Sequence, residues 1–173
     1  VVDFQNGIND DRVAAIVGRD RTLGCVITIG AGLYDPGHAL RTDTRAVGFK
    51  IGELDGSNTD RAQELVDLLA HVGGSQLTTN LFGERWAKLA VNCMANPIAG
   101  LTGYGSAEVR CRADTRRVCV RIAAEAIEVG RAHGYEIDSV WGIPADRFIS
   151  AAAGHEVEQL DKELIAGAGA LGE

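Results

Sequence analysis

Glu84-Arg85-Trp86-Ala87-Lys88-Leu89-Ala90-Val91-Asn92-Cys93-Met94-Ala95-Asn96-Pro97 sets one of the chain's three lysines inside an otherwise apolar run. The period of the apolar residues predicts a helix, and Asn92 and Asn96 follow Lys88 at i+4 and i+8. On a helix these three side chains share one stripe that drifts by about 40° per step. An ammonium and two carboxamides along one wall can donate to a carbonyl oxygen and bind hydroxyls. A partly desolvated lysine also has a lowered pKa, which suits proton transfer near neutral pH. The same residues also fit a plainer reading, in which Lys88 lays its stem on the core with its head in water and the asparagines sit near a helix end. Pro97 favours the first reading. It removes the amide that would pair with the Cys93 carbonyl and marks an irregularity beside the polar stripe.

Outward from this helix, the chain changes character. Upstream, Val1–Phe4 reads as the end of a buried strand, Asn6-Gly7 as a turn, and Asp10 to Val17 as a helix stopped by Gly18. Leu23 to Ile29 reads as a strand broken by Gly30 and Gly32, and the chain turns at Pro36-Gly37. The alternating pair 40–43 and 46–52 predicts a hairpin packed on one face. Thr59 or Asn58 caps a helix from 60 to 72, with an apolar stripe of Ala62, Leu65, Val66, Leu69 and Val72. Ser75 to Thr79 is a short strand. Downstream, helices are expected at 82–101, 106–133 and 145–166, the second carrying Val118, Ile122, Ala126, Val129 and Ala132 at helical period. The expected fold is therefore an α/β remnant over residues 1–80 followed by an all-α helical domain over 81–173.

The formal charge of −7 and pI near 5.1 argue against a nucleic-acid partner, which would need a concentrated basic face. Arg110, Arg112, Arg116, Arg117 and Arg121 form the one basic cluster; interspersed with Glu108, Asp114 and Glu125, they read as a solvated, salt-bridged face. Cys25, Cys93, Cys111 and Cys119 lack C-x-x-C spacing and read as buried free thiols of a cytoplasmic protein. The scattered histidines at 38, 71, 133 and 155 give no metal-ligand spacing, and no run approaches the roughly 20 apolar residues that span a bilayer.

The run from Glu84 through Pro97 to Leu101-Thr102-Gly103 resembles the helical signature of the ketopantoate reductases (2-dehydropantoate 2-reductases), W-x-K-L-x-x-N-x-x-x-N-P followed by L-T. Phe4-Gln5-Asn6-Gly7-Ile8 resembles that family's Q-N-G turn after the last strand of the nucleotide domain. A weaker likeness joins Gly24–Ala31, Pro36-Gly37-His38 and Ile51-Gly52-Glu53 to the strand and hairpin between. The resemblance implies the last strands of a Rossmann-type domain and a helical domain of the 6-phosphogluconate dehydrogenase C-terminal-like group. It implies NADPH-dependent reduction of ketopantoate to pantoate, on the route to pantothenate and coenzyme A. Lys88 would then be the general acid, Asn92 and Asn96 substrate ligands, and Asn6 a cofactor-side residue; taken alone, Asn6 is an ordinary Asn-Gly turn.

A nucleotide-binding unit needs a strand, a Gly-rich turn and a helix, and none is recognisable before Val1. Gly167-Ala168-Gly169-Ala170-Leu171-Gly172 matches G-x-G-x-x-G in form only, because it follows a helix. The sequence is thus expected to be a piece of a longer product, its family's S-M-x-x-D segment also absent. Two other readings stay open: a related 2-oxo-acid or 3-hydroxy-acid dehydrogenase, and a non-catalytic helical dimerisation module. The partners expected are a small keto acid and, left open, a second copy of the chain.

Overall fold

The structure, a computed structural model, describes residues 1–43 and 46–169. It divides into two compact units, Val1–Leu81 and Phe82–Glu173. All the named strands lie in the first and the longest helices in the second.

In the first unit, β1 (Val2–Asp3) leads through the Asn6-Gly7 turn into α1 (Asp10–Val17). Gly18 ends α1 with φ 99°, a conformation that costs glycine little and other residues much. β2 (Leu23–Ile27), β3 (Ala31–Asp35), β4 (His38–Arg41) and β5 (Phe49–Gly52) follow. Next come α2 (Asp60–Leu69) and β6 (Ser75–Leu77). The main sheet has the order β1-β2-β5-β6, with β1 parallel to β2, β2 antiparallel to β5, and β5 parallel to β6. Its core joins Leu23, Cys25, Phe49 and Ile51 to Ala62 and Val66 of α2. Thr59 caps α2 by accepting from the Ala62 amide at 3.3 Å. The buried Glu53 accepts from the Thr59 hydroxyl and pairs with Arg61 at 2.5 Å.

Two expectations for this unit fail. Residues 40–43 do not pair with 46–52; β4 pairs with β3 across Pro36-Gly37, and Gly37 has φ 78°. Proline at the second position and a left-handed glycine at the third are what a type II turn requires, so the chain closes there on itself. Both neighbours of β5 are then supplied by β2 and β6, leaving the β3–β4 hairpin largely exposed. The α2 stripe is also shorter than its period suggests: the helix stops at Leu69, and Val72 lies beyond it, 68% exposed.

The second unit contains α3 (Leu81–Thr102), α4 (Ser106–Cys111), α5 (Ala113–Ala132), α6 (Ala145–Ala152) and α7 (Val157–Gly169). The expected helix 106–133 is two, because Arg112 is extended at φ −76°, ψ 131°. The expected helix 145–166 is also two, separated by Gly154 at φ 92° and Glu156 at φ 52°. Met94, Val109, Ile127, Val140, Phe148 and Leu160 form the centre of its core. Of the Gly167–Gly172 motif, Ala170 to Gly172 lie outside the described residues, and Gly167 to Gly169 end α7.

The arginine cluster is not a uniformly solvated face. Arg110 and Arg116 are only 4% and 6% exposed. Arg116 donates through Nη1 to the carbonyls of Arg110 (2.9 Å) and Cys111 (2.7 Å) and pairs with Asp161 of α7 at 2.8 Å. It thereby satisfies the last carbonyls of α4, groups that a helix end leaves without intrahelical donors. Arg110 lies over the Trp141 ring at 4.5 Å. The exposed Arg112 does behave as expected, with Asp114 at 3.4 Å. The cysteines are mixed too. Cys25 and Cys119 are buried, Cys93 is half-buried and Cys111 is exposed, since it closes α4 on the side away from the core.

Candidate active site

α3 carries the candidate residues, and its packing sets where they stand. Ala87, Ala90, Met94 and Ala95 enter the core, flanked by Val91, Ile98 and Ala99. Taking Ala87, Val91, Met94 and Ile98 as the core direction, Lys88 projects about 90° away, Asn92 about 130° and Asn96 about 170°. The burial follows this drift: Lys88 and Asn92 are half-buried and Asn96 is exposed. One polar stripe therefore climbs from the margin of the core to the surface. Successive members are about 6 Å apart along the axis, the rise of four residues.

The helix runs unbroken through Pro97 to Thr102. The Cys93 carbonyl loses its helical donor to the proline ring. One residue on, the buried Cys119 thiol of α5 donates to the Met94 carbonyl at 2.9 Å. Burial pushes that thiol's pKa up, so it stays protonated and able to donate. On the other side of α3, Phe82 stacks on Tyr135 at 5.1 Å, and Trp86 lies against His133 and Tyr135 at 6.2 and 6.5 Å. Gly130 permits this contact, because a Cβ there would fall 2.8 Å from the Trp86 ring. The turn 133–135 was not singled out from sequence. Its aromatic residues lie far from Trp86 along the chain, and only the fold shows that they fix the turn of α3 preceding Lys88.

Asn6 belongs to the first unit. It is exposed, just past the carboxyl end of β1. Gly7 takes φ 87°, and Asn9 Nδ2 donates back to the Asn6 carbonyl at 3.0 Å. The turn is thus pinned through its backbone, leaving the Asn6 carboxamide directed by a fixed main chain. Carboxyl ends of parallel strands are where open α/β sheets bind ligands. Among the described residues no three His, Cys, Asp or Glu side chains gather closely enough to hold a metal ion. Nor is any helix there long and apolar enough to cross a membrane.

Residues 80–167, which include α3 and the whole polar stripe, match the family described as ketopantoate reductase PanE/ApbA C terminal. The chain belongs to this family. The 2-dehydropantoate 2-reductase of Archaeoglobus fulgidus is 31% identical over 141 residues, covering 80% of this chain and 47% of that protein. The chain spans about half the length of the curated relatives it matches. The solved 2-dehydropantoate 2-reductase from Geobacter metallireducens superposes with a TM-score of 0.66 at 21% identity, over 97% of this chain and 62% of that one. D-mandelate dehydrogenase in complex with NADH and anilino(oxo)acetate gives 0.70 at 16% identity, over 99% and 68%. These likenesses establish the fold: a small mixed sheet followed by the helical ketopantoate reductase C-terminal domain.

Proposed function

We propose that this chain supplies the catalytic helix of an NADPH-dependent 2-oxo-acid reductase that converts ketopantoate to pantoate in the cytoplasm, for pantothenate synthesis. One observation supports the reading above others: within a helix assigned to the ketopantoate reductases, Lys88, Asn92 and Asn96 form a stripe rising from core margin to surface. The first unit, on this reading, is the closing part of the nucleotide-binding domain, and the second is the substrate and catalytic domain.

NADPH fits Asn6, an exposed carboxamide at the carboxyl end of a parallel strand on a turn pinned by its backbone. When bound, that cofactor supplies the hydride. The residues of the chain do the rest. Lys88 Nζ donates to the 2-oxo oxygen, polarising the carbonyl, and transfers a proton to it as negative charge develops there. Asn92, about 6 Å further along α3, hydrogen-bonds the hydroxyl or carboxylate of the keto acid, and Asn96 takes its outer end. Lys88 is half-buried, which limits the water around its side chain.

The test is Lys88→Ala in the protein expressed from its complete gene. Loss of a general acid costs on the order of 100- to 10,000-fold in turnover, and NADPH affinity measured by fluorescence should barely change. Turnover near that of the unaltered protein would refute the assignment. Assaying the unaltered protein against ketopantoate, other 2-oxo acids and 3-hydroxy acids then identifies the substrate, and a preference outside the 2-oxo acids would displace ketopantoate.

A further inference from the structure

We propose that Glu84 is a positioning residue for Lys88: its carboxylate, at the buried end of the polar stripe, holds the lysine charged and in place to donate a proton. This rests on the reading of Lys88 as the general acid. Around the axis of α3, Glu84 stands about 50° from the core direction, against about 90° for Lys88. It therefore heads the same stripe one turn earlier. Glu84 is 8% exposed, Lys88 and Asn92 are half-buried, and Asn96 is exposed.

A carboxylate in the first turn of a helix gains from the helix dipole, but an exposed one gains as much. Burial needs a further reason, because a desolvated carboxylate is costly unless a cation or strong donors face it. α3 has two cations, Arg85 and Lys88. Arg85 is the next residue and projects about 100° round the axis. Lys88, at i+4, lies on the same face with its Cβ about 6 Å away, and glutamate before lysine is the favourable order at this spacing. Segment 133–138 packs on the same turns: the Asp138 amide donates to the Gly83 carbonyl at 3.3 Å, Tyr135 stacks on Phe82, and His133 lies against Trp86. Trp86 projects about 160° from Glu84, so His133 is on the far side of the helix. The segment's other charges, Glu136 and Asp138, have the sign of Glu84 and cannot offset it. From α5, Arg131 is paired with Asp146 at 2.7 Å, and the Cys119 thiol meets α3 further along, at the Met94 carbonyl. Lys88 is thus the cation best placed to face Glu84, and an opposite charge within about 4 to 6 Å favours the charged form by about 1 to 3 pKa units.

The test is Glu84→Gln in the protein expressed from its complete gene, with Glu84→Asp and Lys88→Ala beside it. Glutamine keeps the shape and removes the charge. Proton donation needs the ammonium, so hydride transfer to ketopantoate, followed in single turnovers by loss of NADPH absorbance, falls as pH rises through the pKa of Lys88. Without the negative charge that fall should move at least about one pH unit lower. The rate on the alkaline side then drops about tenfold, while the Michaelis constant for NADPH stays unchanged. Glu84→Asp, which keeps the charge on a shorter stem, should return most of the shift. A carboxylate that only supports the helix would lower the melting temperature and leave the pH profile in place. That result, or an equal displacement from Asp138→Asn, would overturn the proposal. Lys88→Ala separates the two possible failures. If that variant keeps its turnover, the general-acid reading falls and the role of Glu84 with it; if it loses turnover while Glu84→Gln keeps the unaltered pH profile, only the role of Glu84 falls.

Discussion

Arg116→Met tests whether a buried arginine, rather than apolar packing alone, joins α4, α5 and α7. The guanidinium supplies two hydrogen bonds to the final carbonyls of α4 and one ion pair to Asp161. Asp161 is a third exposed and can recover water when its partner is lost, so it adds little to the cost. The buried Arg110 carbonyl has no such escape, and the Cys111 carbonyl, partly buried, has little. Hydrogen bonds from a charged donor are worth about 1.5 to 3 kcal/mol each, which sets the loss at about 3 kcal/mol at the low end. Methionine keeps the volume of the stem, and no large cavity term is added. Both tryptophans, Trp86 and Trp141, lie in the second unit, so tryptophan fluorescence in urea reports on that unit alone. With a slope of about 1 to 1.5 kcal/mol per molar urea, the midpoint should fall by about 2 to 3 M. Arg112→Met is the control: its side chain is exposed and its ion pairs face solvent, so its midpoint should move far less. If the two variants unfold at the same urea concentration, the capping role of Arg116 is wrong.

The remaining predictions concern the stripe and the first unit. Asn92→Ala should raise the Michaelis constant for the keto acid by the worth of a lost hydrogen bond, roughly 0.5 to 3 kcal/mol, and leave that for NADPH nearly unchanged. Asn96→Ala should do less, because Asn96 is exposed and a further turn from Lys88; equal losses for both ligands in steady-state assays would point instead to a disturbed helix. Glu53 has its pKa lowered, first by the hydrogen bond from Arg61, against its own desolvation. A depressed carboxylate pKa means that its stabilising contribution is complete above the ordinary value of about 4.5 and is lost as pH falls through the folded value. Thermal unfolding followed by circular dichroism should therefore show Glu53→Gln less stable than the unaltered chain at pH 7, with the gap closing towards pH 3. A gap that widened in acid would contradict the pairing.

Much of the first unit was legible because its signals are local. Asp10 to Val17 with Gly18, and Thr59 before Asp60, are helix boundaries written in a few adjacent residues, and the structure reproduces them. The hairpin was misjudged because alternation shows that 40–43 and 46–52 are extended but not which strands they join. Two residues of turn at Pro36-Gly37 decided that instead. The stripe of Lys88, Asn92 and Asn96 was legible for the opposite reason to a core position: polar groups at helical spacing inside an apolar run have few explanations. Arg110 and Arg116 were not legible. Their burial depends on Trp141 and Asp161, 31 and 45 residues away in sequence respectively, and a cation's sequence neighbours do not disclose a distant partner.

At α5 the residues that carry the helical period are not those the fold buries most deeply. Periodicity singled out Val118, Ile122, Ala126, Val129 and Ala132 because branched residues weigh most in any hydrophobic pattern, yet the face the fold buries carries Cys119, Ala123, Ala124, Ile127 and Gly130. Helices that approach closely need small residues at the contact. Gly130 must yield to the Trp86 ring, and Cys119 must come near enough to hydrogen-bond the backbone of α3. The weaker pattern therefore belongs to the tighter contact. The stronger one runs along the margin of that core: Ile122 and Ala126 pack against it, while Val118 and Val129 are exposed.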